Sequence, residues 1–318
     1  MQSVGTPLYW ALFVVIVVSA LAIDLGVVHR GAHKVKAKEA AVWVGIWVTL
    51  AALFNAFVYI KLGRERGLEF TQAWLLEYAL SIDNVFVFIV IFAYFKVPEE
   101  YQHRVLFWGI IGAVITRGAF VGIGAVLITR FHWVMYILGA FLVFTAIRLL
   151  TQKDEHIDPS ANPVLRVFRR FVRTSDHYDG AKFFTVENGV RKATPLLAVL
   201  VVVEGTDVVF AVDSIPACFG VTMDVFIVYT SNIFAILGLR SLFFMIADLM
   251  SALAYLKTGV AVILGFIGIK ILIEKWWHMP IAVSLGVLAG VLAIAVILSL
   301  LFPPKAASAA PHPGPSPE

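Results

Sequence analysis

The chain has 318 residues, of which 60% are hydrophobic and only 14% charged, with a formal net charge of +4. Apolar runs long enough to cross a ~30 Å hydrocarbon core recur along nearly all of it, which excludes a soluble globular domain and points to an all-α, polytopic membrane protein. Its single cysteine, Cys218, excludes an intrachain disulfide framework and a clustered thiolate metal site, and is expected only to pack.

The N-terminal MQSVGTP carries no Lys or Arg ahead of the first apolar run, so that run reads as a retained helix rather than a cleaved signal peptide. Nine spans are expected, at about 8–28, 41–60, 71–95, 105–128, 132–150, 195–218, 224–248, 257–274 and 280–302. With the N-terminus outside, sixteen Lys and Arg fall in inner segments and five in outer ones. This asymmetry favours an N-terminus outside and a C-terminus in the cytoplasm. The positive charge then describes a membrane face and is no argument for nucleic acid.

Two pieces do not span. The segment 152–194 is long for a helix connection and should carry structure of its own. Within NPVLRVFRRFVRTSD, Val164, Phe168, Phe171 and Val172 fall on one helical stripe with Arg166, Arg169, Arg170 and Arg173 elsewhere, a basic amphipathic helix suited to the inner membrane surface. In KFFTVENGVRKAT, Asn188-Gly189 between two β-rich runs predicts a hairpin. Packing on the bundle and a regulatory or ion-sensing role are both open for this segment. The Pro/Ala/Ser-rich tail, 303–318, is expected to be disordered.

The chemistry lies in the third span. LLEYALSIDNVFVFIVIF, residues 75–92, is a membrane helix that carries Glu77, Asp83 and Asn84. A second stretch, VEGTDVVFAVDSIPACF at 203–219, matches it: with Asp83-Asn84 laid on Asp213-Ser214, Glu77 falls on Asp207. The likeness continues through GAVITRG (Arg117) and AILGLRS (Arg240), then FTAIRLL (Arg148) and FIGIKIL (Lys270). Each unit is three helices, an odd number of crossings, so the second should enter the membrane inverted. The expected organisation is helices one and two in 1–70, a repeat in 71–151, the connecting segment 152–194, an inverted repeat in 195–275, a last span in 276–302 and the tail. Such folds place their binding site near the midplane where the units meet.

A charged residue at a helix centre costs ~2.5–3.5 kcal/mol on insertion scales. Asp24, Glu77, Asp83, Glu204, Asp207 and Asp213 would together cost on the order of 15–20 kcal/mol, so they need a partner, a proton or an ion. At ~100° per residue Glu77, Ser81 and Asn84 share a stripe, as do Glu204, Asp207 and Ser214, whereas Asp83 and Asp213 project away. Either each helix stands between two polar surroundings or it unwinds so that the groups converge. Pro216, which cannot donate to the Val212 carbonyl, supplies a cause for unwinding in the second unit.

Carboxylates, a carboxamide and hydroxyls are hard donors suited to Mg, Ca or Mn, and all eight histidines fall near helix ends, in loops or in the tail. Crowded carboxylates also let protons compete with a divalent cation for the same oxygens. The structural alternative is that Arg117 and Arg240 neutralise Glu77 and Asp207 in buried ion pairs that fix helix packing. Lys270 fits packing or gating, and Asp248 and Glu274 at helix ends fit solvation.

LEYALSIDNVFVF, EGTDVVFAVDSIPA, AILGLRSLFF and FIGIKIL, with AIDLGVVHR in the first span, closely resemble the TerC/Alx family of bacterial membrane proteins over about residues 5–302. The resemblance implies manganese export from the cytoplasm, a place in the wider LysE-like transporter superfamily and, in some members, delivery of Mn(II) to exported metalloenzymes. Carried over by motif, the functional acids are Asp24, Glu77, Asp83, Glu204, Asp207 and Asp213. Two readings stand. One is an exporter that binds Mn(II) at the repeat interface through these acids with Asn84, Ser81 and Ser214, while Arg117 and Arg240 orient acids or replace the departing ion. The other is a membrane scaffold in metal or tellurite stress whose acids are structural. No organic cofactor and no enzymatic activity are expected, since no nucleophile–base pairing is visible.

Overall fold

A computed structural model describes residues 3–28, 37–131, 133–151, 163–187, 189–247 and 255–302. Arg30, Lys34, Lys36 and Lys305 of the charge count, Asn188, Asp248, 152–162 and the tail 303–318 lie outside the described residues. The elements are α1 (Pro7–Val28), α2 (Ala37–Leu62), α3 (Arg64–Tyr94), α4 (Glu99–Arg130), α5 (Val134–Thr151), α6 (Pro163–Phe171), β1 (Phe184–Glu187), β2 (Val190–Ala193), α7 (Pro195–Phe219), α8 (Val225–Leu237), α9 (Leu239–Ala247), α10 (Leu256–Ile273) and α11 (Ile281–Leu301). The chain is an all-α polytopic membrane protein. Among the described residues eight helices are long and apolar enough to span a bilayer, and α8 with α9 makes a ninth if that bent pair is one span.

Three features differ from the expected elements. The seventh run is two helices, bent by 40°, with the break at Gly238, a residue that weakens a helix interior. Helices α3 and α4 run to 31 and 32 residues, because charged and amide residues at 64–72 and 99–104 are good helix formers and extend them past the apolar stretch. Helix α7 is unbroken through Pro216. The proline falls in the last turn, and the helix closes past it through the Gly220 N–H on the Pro216 carbonyl at 3.0 Å.

Helix α4 packs along α7 as α8 packs along α3, and α5 lies along α10. The α5–α10 pair is the closest approach: a Cβ on Gly268 would sit 2.7 Å from the Gly139 carbonyl oxygen and 2.9 Å from the Val143 nitrogen. Only glycine lets these backbones touch, the small-residue packing expected where lipid supplies no hydrophobic drive. On the other flank an aromatic cluster joins α1, α2, α3 and α8, with Phe54 and Phe234 centroids 4.7 Å apart and Trp10 edge-on to Phe226 at 5.0 Å. Asp224 caps α8 through the Phe226 and Ile227 N–H groups and also accepts from Val4 N–H at 2.7 Å, which ties the N-terminal segment to the same helix.

In the connecting segment the described residues, 163–187 and 189–194, carry a helix and a hairpin, as expected. Strands β1 and β2 pair antiparallel with Glu187 opposite Val190, and Gly189 takes φ +75° in the two-residue turn. Tyr178 donates to the Phe95 carbonyl at 2.8 Å and Arg104 stacks over Phe183 at 5.0 Å, so the hairpin region rests on the face where α3 ends and α4 begins. The expected stripe of α6 is split. Leu165 is buried, with Phe168 packed against the same core, whereas Phe171 is 80% exposed. The bundle, not the stripe's own symmetry, chooses the buried side.

Replacing Gly268 by Ala should lower the melting temperature in detergent, at a cost of ~1–3 kcal/mol from overpacking. Gly286, with nothing within 4 Å of its added Cβ, is the control, and equal shifts for both would refute the close-approach argument. The Lys192 ammonium, 2.7 Å away, and the Ser175 hydroxyl hold the Glu187 carboxyl below the usual carboxylate range. Its contribution to the hairpin should therefore be complete above that range and vanish only as pH falls through the depressed value. Amide exchange of β1 and β2 against pH measures this, and protection lost already near neutrality would contradict it.

Candidate functional site: a buried arginine between two related helices

Arg117, near the middle of α4, is fully buried. One terminal nitrogen, Nη1, donates to Glu77 of α3, to Ser214 Oγ of α7 at 3.2 Å and to Asn232 Oδ1 of α8 at 2.6 Å, and Nη2 donates to Asp207 Oδ1 of α7 at 3.1 Å. The guanidinium thus joins the two helices that the sequence repeat pairs, at the aligned acids Glu77 and Asp207. Its fork geometry suits two carboxylates at once. Burial of an ion pair demands this density of partners, because each charge has lost its water.

Cys218 is part of this surround. Its Sγ accepts from Asn232 Nδ2 at 3.2 Å and lies 4.0 Å from Glu77 Oε2, so the thiol is more than packing. Asn232 escaped the sequence reading because the first unit has Gly109 where the alignment of the two arginines would place its counterpart. A Ser-Asn pair inside the apolar VYTSNIFAIL was the signal available.

The second arginine differs from expectation. Arg240, the second residue of α9, pairs with Asp24 of α1 and not with Glu77 or Asp207, both of which Arg117 takes. The reason is the bend at Gly238, which places α9 against α2 and α3 and next to the end of α1 rather than along α4. Arg240 Nη1 and Asp207 Oδ2 are buried without a hydrogen-bond partner. Arg240, Glu204 and Asp207 together line a small cavity of about 10 Å³ whose other walls are apolar residues of α3, α4, α7, α8 and α9. That is room for about one water or one ion. Glu204 has no cation bonded to it among the described residues, and its carboxyl fills the space that a side chain at Gly112 would occupy.

Asp83 and Asp213 stand apart from this centre. Both are half-buried on intact helices, so the first of the two sequence alternatives holds: each helix lies between two polar surroundings. Asp213 Oδ1 accepts from Thr145 Oγ1 of α5 at 3.3 Å with the Arg148 charge nearby, and Asp83 feels Lys257 of α10. Ser81 and Asn84 are buried beside Glu77, the Ser81 hydroxyl without a partner. Lys270 donates to the Gly220 carbonyl at 3.3 Å and, with Arg66, Glu69, Glu274 and His278, lines a pocket of about 290 Å³ on the face opposite the hairpin. Among the described residues no three His, Cys, Asp or Glu side chains converge to hold a metal ion, so the expected ligand set is not assembled in this conformation. At its centre sits a guanidinium, and the acids it does not reach are spread over three locations.

Comparison with known proteins agrees with the sequence resemblance. Residues 62–307 match the family described as "Integral membrane protein TerC family". The chain is 49% identical over 299 residues to "Uncharacterized membrane protein STKORF319" of Myxococcus xanthus, covering 94% of each chain. It is 46% identical over 308 residues to proteins of Salmonella typhi and Escherichia coli K12 that are both called "Putative membrane-bound redox modulator Alx", covering 94% of this chain and 96% of theirs. No solved structure matches it. With a family model spanning most of its length and relatives nearly half identical from end to end, the chain belongs to the TerC family of integral membrane proteins.

Proposed function

We propose that this chain exports a divalent metal ion, Mn(II) first among candidates, from the cytoplasm across the bacterial inner membrane, with protons competing for the same carboxylates. One observation carries the reading: Glu77, Glu204 and Asp207 stand together at the centre, Arg117 is bonded to two of them, no cation is bonded to Glu204 among the described residues, and Arg240 is bonded to Asp24. If all are ionised, two negative charges remain uncompensated in a low-dielectric interior, the charge of one divalent cation or two protons. A set of hard oxygens suits Mn(II), Mg(II) or Ca(II), and the preference for manganese rests on the family resemblance.

In this conformation Arg117 occupies the position between Glu77 and Asp207 where a cation would be held. Loading requires the guanidinium to yield those oxygens, and unloading lets it return, so the arginine acts as a tethered counter-ion. The reciprocal packing of α4 on α7 and α8 on α3 supports two inverted units that rock about this point, the usual route to alternating access. The word redox in the relatives' names fits such a role indirectly. With one cysteine the chain has no internal dithiol couple, whereas control of a metal pool bears on redox balance. The scaffold reading draws its own support from the four side chains that the Arg117 terminal nitrogens engage, which by themselves would serve packing.

Glu204→Gln separates the two readings. Truncating Asp207 takes a hydrogen-bond acceptor from the buried Arg117 guanidinium, which then has Glu77 as its one carboxylate, and so confounds function with folding. Glu204 has no bonded cation to orphan. In an export-deficient bacterium under manganese load, the native chain should lower cell manganese by elemental analysis. At matched protein levels E204Q, and likewise Asp83→Asn and Asp213→Asn, should fail to do so. Unchanged manganese with the native chain, or full activity of E204Q, would leave the scaffold reading in its place.

A further inference from the structure

We propose that the Asp24–Arg240 ion pair is the gate that closes the central acid cavity toward the face carrying the hairpin. The proposal rests on the transport reading above for what passes the gate, and on the geometry for the gate itself. Arg240 is the one side chain that lines both the central cavity, with Glu204 and Asp207, and a second pocket formed by Glu39, Trp43, His103, Ser241 and Phe244. That second pocket lies where α2 and α4 begin, the same face on which Tyr178 and Phe183 set the hairpin down. The guanidinium is therefore a wall shared by two spaces, one opening to the membrane face and the other holding the acids.

What fixes the wall is a single carboxylate from outside both repeats. Asp24, near the end of α1, is 3% exposed and bonds Arg240 Nη2, while Nη1 of the same guanidinium is buried with no acceptor. Arg117, by contrast, uses both terminal nitrogens on four side chains. Of the two arginines Arg240 is thus the less tightly held. It also sits two residues past Gly238, where the span bends by 40° and α9 continues as a separate nine-residue helix. A rotation at that bend carries Arg240 with α9, breaks its bond to α1 and joins the two spaces. The cation that follows meets Glu204 and Asp207 next. At the outer pocket the His103 imidazole is a ligand type that a divalent first-row metal takes more readily than an alkaline-earth ion does, whereas the Glu39 carboxylate suits both.

The test is thiol accessibility in nanodiscs, where both faces are open. A cysteine placed at Ala113, on the cavity wall, is treated with a positively charged thiosulfonate reagent, and the chain without it, whose Cys218 is buried, serves as the blank. Labelling should be slow in the parent and at least about tenfold faster with Asp24→Asn, the range expected when loss of one contact shifts a two-state balance. The exchange Asp24→Arg with Arg240→Asp should slow it again. A second reporter at Leu264, in the α5–α10 core, should stay slow throughout. Fast labelling in the parent, no acceleration by Asp24→Asn, or equal acceleration at Leu264 would overturn the gate. Added Mn(II) should slow labelling of the Asp24→Asn form. If it does not while the gate behaviour holds, manganese as the cargo is what fails.

Discussion

Everything at the centre of this molecule depends on burying one guanidinium. Arg117 lies between α3 and α7 with Glu77 on one side and Asp207 on the other, and no water-sized space separates them. An arginine so placed cannot shed its proton, so the helices around it must supply acceptors or come apart. Four side chains from three helices answer that demand, and their convergence fixes how α3, α4, α7 and α8 meet. Losing any one spoke would take an acceptor from a charge held in oil, a stronger constraint on helix register than the nonspecific apolar contacts that surround it.

The remaining helices hold this core by different means on its two flanks. Toward α10 and α5 the means is absence: glycines at 139 and 268 let backbones touch, and dispersion over a long, close contact replaces the hydrophobic drive that lipid cannot provide. Toward α1 and α2 it is bulk, the stack of Phe13, Phe54, Phe70, Phe226 and Phe234. A backbone-to-backbone seam resists sliding, whereas interlocked rings tolerate small reorientation. The site stands between a rigid seam and a more adaptable flank, and it is the adaptable flank that carries Asp24 and the bent α8–α9 span.

The apolar runs and the pairing of Asp83-Asn84 with Asp213-Ser214 made the spans and the buried acids readable from sequence, because length, hydropathy and spacing are local properties. Helix angles placed Glu77, Ser81 and Asn84 on one buried stripe, as the structure has them. What sequence could not supply was partner choice. Arg240 aligns with Arg117 yet bonds α1, since a bend at one glycine changes which helix lies within reach. Asn232 and Cys218 join the centre without any counterpart in the first unit, so a search by repeat passes over them. Pro216 is visible in sequence, but the sequence does not say that the helix continues past it for one more turn, as it does here.

The two acids outside the centre bear on how such a bundle could move. Asp213 on α7 meets Thr145 and the charge of Arg148 on α5, and Asp83 on α3 meets the charge of Lys257 on α10. Exchange of the two units turns the first arrangement into the second, although Lys257 is not the residue that aligns with Arg148. The interface is therefore alike in charge pattern without being alike in sequence. Each lead helix has a carboxylate against the centre and another against a basic residue on the α5–α10 seam. Under the proposed alternating access, a unit that tilts would keep its outer acid facing the seam while its inner acid changes distance from Arg117. This division of labour explains why acids spaced six residues apart, which cannot share one helix face, occur together in both units.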